Sequence, residues 1–296
     1  MTPRACNPAW LVALALVLAA CSEEPAVLGD ADYARLGLPV ACPADRGVAG
    51  ATNALRTNAG LVFSLRTPRN YDATRAHPLL VVFAPAGFDR FRSERYAGLT
   101  TAATSAGFVI AYADHARLAM GTFAQQGEIA ELVGQRWCID NARVSFAGHS
   151  DGGSSAAAVT FFEKSRIQPA GIAVSGAGIR KQDLEQYACP GPVSVLVLHS
   201  HRDERFPLPE FGQGAAHWWA GCNRCQPPSS PAENGCVEYS ACRPGGRVRY
   251  CELSSAHEEW PPANDEVLRF LLSARTGASQ GALPPASPAR VPPIPR

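Results

Sequence analysis

The chain has almost no excess of either charge. Lys and Arg total 27 against 26 Asp and Glu, a formal net charge of +1, and the basic residues are scattered along the sequence. A nucleic-acid binder gathers them on one face, so that partner class is excluded. The apolar run LVALALVLAA at residues 11–20 is about half the ~20 residues that a bilayer-spanning helix requires. No H-E-x-x-H, no G-x-x-x-x-G-K-[ST] and no EF-hand loop occurs, so no metal or nucleotide motif competes for the chemistry and no cofactor is called for. Internal repeats are lacking too. The remaining composition, 46% hydrophobic and 18% charged with plentiful Gly and Pro, is that of a folded domain.

What the N-terminus does contain is a targeting segment. One arginine precedes the apolar run, which ends at LAAC, Leu18 to Cys21. This resembles the lipobox of bacterial lipoproteins, which implies cleavage before Cys21 and lipidation of its thiol, and hence a membrane as partner through the lipid. The alternative is an ordinary cleavage after Ala20 that leaves Cys21 as a free or paired thiol. Ten cysteines, less Cys6 in the signal and Cys21 at the lipid, leave eight: Cys42, Cys138, Cys189, Cys222, Cys225, Cys236, Cys242 and Cys251. An even count in an exported chain predicts disulfides, here up to four, with pairing that the sequence does not specify. The CNRC at Cys222–Cys225 also has metal-ligand spacing, but no second C-x-x-C or His pair follows it.

These features divide the chain into a signal peptide (1–20), a lipidated N-terminus and tether (21–55), a catalytic domain (56–274) and a Pro-rich, disordered tail (275–296). Within the domain, LVFSLRTP (61–68) alternates as a half-buried or edge strand does. PLLVVFAPAG (78–87) and FVIAYA (from Phe108) are continuous apolar runs, as expected of strands buried on both faces. SERYAGLTTAATSAG has helical spacing and stops at Gly107, and residues 122–137 place Ile129, Leu132 and Val133 on one helical face. A strand at 143–147, a helix at 154–163, the strands GIAVSG and VSVLVLHS, and a last helix N-capped by Asn264 complete the pattern. Strands alternating with helices predict an α/β fold whose mostly parallel central sheet carries helices on both faces. The Cys-, Pro- and Gly-rich stretch near residues 221–251 reads as a disulfide-stapled insertion.

The chemistry centres on GHSDG, Gly148 to Gly152, which matches the G-x-S-x-G nucleophile elbow. A sharp strand-to-helix turn holds such a serine in strained backbone geometry, so the positions two residues away must be small. The following helix turns its positive end toward any negative charge that develops. An idle serine in a Gly-rich turn is the alternative, and the strand before the turn and the Ala-rich helix after it favour the elbow. A serine at its free pKa needs a base, itself oriented by a carboxylate. In the α/β-hydrolase fold these follow in the order Ser, acid, His. Asp203 lies just past the strand VSVLVLH, ahead of its rivals Glu204 and Asp183, and His257 precedes the last helix. His199, His201 and His217 read as packing or surface histidines, and His149 as a support for the elbow. The oxyanion donors are expected to be the N–H of Asp151 and, from the loop after LLVVFA, that of Ala86, with Gly87 second; Pro85 has no N–H to offer.

These motifs resemble those of the secreted esterases that include short polyhydroxybutyrate depolymerases and feruloyl or acetylxylan esterases, with a lipoprotein branch. The resemblance runs from about Gly60 to Leu272. Its landmarks are PLLVVFAPAG, CIDNARVSFAGHSDGG, VLVLHSHRDERFP and AHEEWPP. It implies Ser150 as nucleophile, Asp203 as acid and His257 as base, and it puts Trp260 near the substrate pocket. Two departures stand out: Ala84-Pro85 replaces the usual His-Gly before the oxyanion loop, and one extra residue separates His257 from Trp260. The expected activity is that of a serine carboxylic-ester hydrolase acting outside the cytoplasm on polyester or polysaccharide esters. A peptidase of the same fold is weaker, because no propeller or cap domain is visible in the sequence. A non-catalytic binding lipoprotein is weaker still, having no need of all three residues. No obligate protein partner is evident.

Overall fold

The computed structural model describes residues 23–36, 42–43, 47–162, 167–228 and 234–276. The signal peptide, Cys21 and all but residues 275 and 276 of the tail lie outside the described residues. Nine strands are described: β1 (Ala51–Arg56), β2 (Val62–Arg66), β3 (His77–Phe83), β4 (Val109–Ala113), β5 (Ile139–His149), β6 (Gly171–Ser175), β7 (Ser194–Ser200), β8 (Cys236–Glu238) and β9 (Arg247–Leu253). They form a single sheet in the order β1-β2-β4-β3-β5-β6-β7-β9-β8. Strands β4 to β9 in that order run parallel, while β1, β2 and β8 are antiparallel to their neighbours.

The helices are α1 (Asp30–Tyr33), α2 (Arg90–Ala97), α3 (Thr100–Ser105), α4 (Met120–Gly134), α5 (Asp151–Phe161), α6 (Lys181–Leu184), α7 (Gly214–Cys222) and α8 (Asn264–Ser273), with a π-helical turn (Pro209–Gln213) leading into α7. Alternate residues of each central strand serve opposite cores. Leu79, Val81 and Phe83 of β3 join Phe146, Val195 and Val197 under α4, α5 and α7. Leu80 and Val82 join Ala147, Leu196 and Leu198 under α2, α3 and α8. Burying a large apolar side chain stabilises by about 1.5–3 kcal/mol, and two cores explain why these strands read as continuous apolar runs. The mostly parallel sheet with helices on both faces is the predicted architecture. The chain moves outward from β3 to β4 and then returns to β5 on the other side of β3. The β3 and β5 carboxyl ends therefore flank a topological switch point, where open α/β sheets bind ligands.

Several local expectations differ. Residues 23–36, within the segment read as lipidated N-terminus and tether, pack on the domain. Leu28 and Leu36 are buried, the Ala26 N–H donates to Thr104 Oγ1 (2.8 Å), and Glu23 Oε2 accepts from the Thr100 N–H (2.8 Å). β1 takes the sheet edge, so β2 is an interior strand rather than a half-buried or edge one. The predicted helix ending at Gly107 breaks at Gly98, whose φ of 60° caps α2 in the left-handed region. Asn264 is not an N-cap: it is the first residue of α8, and its side chain donates to the Ala97 and Gly98 carbonyls (both 3.0 Å).

All eight cysteines expected to pair do so, as Cys42–Cys138, Cys189–Cys222, Cys225–Cys242 and Cys236–Cys251. The CNRC sulfurs thus enter two different disulfides. The Cys-rich segment carries three of the staples and also closes the sheet, supplying β8 and the start of β9. Among the described residues, no group of three His, Cys, Asp or Glu is arranged to hold a metal, and no helix is long and apolar enough to cross a membrane.

Candidate active site

Strand β5 ends at His149 and α5 begins at Asp151, leaving Ser150 alone to make the turn. Its φ of 54° and ψ of −122° fall where non-glycine residues rarely sit. The turn is held by the Ser150 N–H on the Ser175 carbonyl (2.9 Å) and the Ser154 N–H on the Ser150 carbonyl (2.9 Å). The flanking glycines have steric reasons. A Cβ on Gly148 would meet the Gly152 carbonyl, and one on Gly152 would meet the Phe83 carbonyl at the end of β3.

Asp203 follows β7 by three residues and His257 follows β9 by four. Both lie at the carboxyl edge of the sheet, where the structure brings them to Ser150. His257 Nδ1 lies 2.7 Å from Asp203 Oδ2, and His257 Nε2 lies 3.0 Å from Ser150 Oγ. A carboxylate only accepts, so Nδ1 carries the proton and Nε2 is free to accept from the serine hydroxyl. Asp203 is fixed by its other oxygen, which accepts from the Arg205 N–H (3.0 Å) and the Phe206 N–H (2.9 Å). Burial pushes its carboxyl pKa up, but the bonds from His257 and Phe206 outweigh burial and hold it below the usual value. The Phe206 ring meets the His257 imidazole edge-on at 5.1 Å.

His149 supports this arrangement, as expected from its place in the motif. Its Nε2 donates to the His257 carbonyl (2.6 Å) and its Nδ1 accepts from Ser175 Oγ (2.9 Å). Burial pushes its pKa down to about 4, so the ring is neutral at pH 7. His199 is likewise buried, with its Nε2 on the Phe206 carbonyl (2.7 Å), and burial lowers its pKa. Of the rivals for the acid, Asp183 pairs with Arg180 on the exposed α6 turn (3.0 Å), and Glu204 is exposed. His201 and His217 are exposed.

The loop after β3 makes a tight turn, with the Phe88 N–H on the Pro85 carbonyl (3.1 Å) and Gly87 at φ +73°. A type II turn requires this φ at its third residue, so glycine belongs there. Ala86 and Gly87 are exposed, and among the described residues the Ala86 N–H has no hydrogen-bond partner. Asp151 is the first residue of α5, where N–H groups have no partner inside the helix. Its carboxylate accepts from His115 Nε2 (3.0 Å), a histidine that the sequence reading did not single out.

A cleft of about 790 Å³ opens beside His257, lined by His201, Arg202, Glu204, Arg205, Ala256 and Glu258. Trp260 is not on its wall. It packs in an aromatic cluster with Tyr96 (6.1 Å) and His149 (6.3 Å), and its indole N–H donates to Asn264 (2.7 Å).

No protein-family model matches the sequence, and no curated protein sequence is similar to it. Solved structures are similar in fold. An acetyl xylan esterase from Aspergillus awamori superposes with a TM-score of 0.58 at 12% identity, over 75% of this chain and 98% of that one. An S-formylglutathione hydrolase from Staphylococcus aureus gives 0.54 at 12% identity, over 75% and 98%. A putative dipeptidyl aminopeptidase IV from Bacteroides ovatus gives 0.53 at 14% identity, over 76% of this chain but 35% of that one. At such identities the likeness concerns the fold, and the fold is of the α/β-hydrolase type.

Proposed function

We propose that the chain is a serine carboxylic-ester hydrolase acting outside the cytoplasm. The observation that carries this reading is the chain of contacts Ser150 Oγ, His257, Asp203, at 3.0 and 2.7 Å, built on a serine at positive φ. A serine merely turning a corner requires neither an imidazole at hydrogen-bond distance nor a buried carboxylate behind it.

Ser150 attacks the ester carbonyl while His257 Nε2 takes its proton, and Asp203 stabilises the resulting imidazolium. The tetrahedral oxyanion is received by the N–H groups of Asp151 and Ala86. Collapse expels the alcohol, which takes the proton from His257, and leaves an acyl ester on Ser150. His257 then deprotonates water, and the second tetrahedral intermediate releases the acid and restores the serine. The substrate is one met outside the cytoplasm: polyhydroxybutyrate-type polyester, or feruloyl or acetyl esters of polysaccharide. The acetyl xylan esterase and a truncated carbohydrate esterase from gut microbiota among the structural neighbours (TM-scores 0.58 and 0.53) favour the carbohydrate ester. Four disulfides support export, with Cys21 as the lipid anchor.

The test is hydrolysis of p-nitrophenyl acetate and butyrate by the parent and by Ser150→Ala. The parent should hydrolyse both and the variant neither above background; equal rates for the two proteins would refute the reading.

A further inference from the structure

We propose that His115 is a positioning residue for the oxyanion hole, tying the two donor-bearing segments together and covering the Asp151 carboxylate. The inference rests on the serine-hydrolase reading above. The two expected donors, Ala86 and Asp151, belong to segments that share no strand or helix. One is the turn after β3 and the other is the first residue of α5. His115 contacts both. Its backbone N–H donates to the Phe88 carbonyl (2.8 Å), at the end of the Ala86 turn. Its Nε2 donates to Asp151 Oδ2 (3.0 Å), the partner being a carboxylate that only accepts.

The loop that carries His115 is itself pinned. Asp114 accepts from the backbone N–H of Arg90 (2.8 Å) and from its guanidinium (3.1 and 3.2 Å). The Arg92 guanidinium stacks 3.8 Å over the Phe88 ring. The Ala86 turn, the start of α2, the 114–115 loop and the start of α5 are therefore one hydrogen-bonded unit. Donors held at fixed separation stabilise an oxyanion without reorganising when it forms.

Charge gives His115 a second task. Asp151 places a carboxylate on the same residue whose N–H receives the oxyanion, and a like charge there opposes the charge that develops in the transition state. With His115 on Oδ2, the carboxylate is turned to a donor and partly neutralised. Without it, the negative charge is bare beside the reacting oxygen. Sugar-ester and polyester substrates face the same requirement, so the role is independent of which ester is cleaved.

The experiment compares the parent, Ser150→Ala, His115→Ala, His115→Gln and the double variant His115→Ala with Asp151→Asn. The readouts are kcat and KM on p-nitrophenyl acetate, inhibition by phenylboronic acid and thermal melting. Boronic acids add to a serine oxygen as a tetrahedral anion and so report on the oxyanion site. Removing a whole oxyanion donor costs about 10²–10³-fold in kcat, so loosening one should cost about 10–100-fold, with KM within about threefold. Phenylboronic acid should lose affinity by a similar factor. His115→Gln, which retains a donor for Asp151, should recover most of the rate. The double variant should be faster than His115→Ala, because it removes the uncovered charge. A kcat for His115→Ala within twofold of the parent would overturn the proposal. So would a fall in kcat with unchanged boronate affinity, or a double variant no faster than the single one. If His115→Ala melts too early to assay, His115→Leu against His115→Gln decides: kcat and boronate affinity at least tenfold lower in His115→Leu support the proposal, and smaller differences contradict it. Activity surviving in Ser150→Ala would instead remove the serine-hydrolase reading itself.

Discussion

Asp203→Asn tests the proposed relay most sharply, because the structure fixes how the amide must sit. Asp203 Oδ1 accepts from two backbone N–H groups, of Arg205 and Phe206. The amide oxygen of an asparagine has to keep that position, which turns its NH2 group toward His257 Nδ1. Nδ1 must then accept, so the imidazole proton moves to Nε2, the atom 3.0 Å from Ser150 Oγ. An Nε2 that carries a proton cannot take the serine proton. By analogy with the same exchange in a serine protease, kcat should fall about 10⁴-fold, equivalent to about 5 kcal/mol of transition-state stabilisation. KM should change little, and the retained backbone bonds should keep the melting temperature close to that of the parent. The assay is steady-state hydrolysis of p-nitrophenyl butyrate at pH 7.5, with a thermal melt on the same preparation. A loss of less than tenfold at unchanged stability would refute the assignment of Asp203 as the orienting carboxylate.

Three further outcomes follow from the fold. His149 has a folded pKa of about 4 against about 6.5 when unfolded, so the unfolded chain binds the extra proton first. Stability is therefore full above about pH 6.5 and falls by about 3 kcal/mol as the pH drops to about 4; urea midpoints across that range should show the slope, and His149→Gln should flatten it. Gly152→Ala drives a Cβ into the Phe83 carbonyl, so it should cost about 3 kcal/mol or yield no folded protein; a urea midpoint equivalent to a loss under 1 kcal/mol would contradict the packing described. Replacing both Cys42 and Cys138 by serine opens a linkage of sequence separation 96 and should cost about 4 kcal/mol, measured by guanidinium unfolding against the parent; an unchanged midpoint would contradict it.

Much of the sheet was legible because β3, β4, β6 and β7 are buried at every position, on both faces, and so read as mostly apolar runs, with polar residues near their ends. β1 was missed for the opposite reason. ATNALR is an exposed edge strand with no alternation to detect, and it lay in a segment read as a tether. The break between α2 and α3 was missed because a single glycine inside a helical pattern gives no sign of the φ it will adopt. At the site, Ser150 was legible because the elbow's demands fall within five residues. Asp203 and His257 were legible because chain order and strand ends are features of the sequence.

His115 had no such signal. Its bond to Asp151 spans 36 residues and depends on β3 bringing the ends of β4 and β5 to the same edge. Ser175 and Phe206, which hold His149 and Asp203, were hidden in the same way. The disulfide pairing is likewise a property of the folded chain: Cys222 and Cys225, three residues apart, bond in different directions.

Covalent labelling tests directly whether Ser150 is the activated nucleophile. A fluorophosphonate reacts with such a serine, and peptide mapping by mass spectrometry then locates the adduct. One label per chain is expected, on the peptide containing Ser150, and none on Ser150→Ala. An unlabelled parent, or a label on any other residue, would contradict the claim.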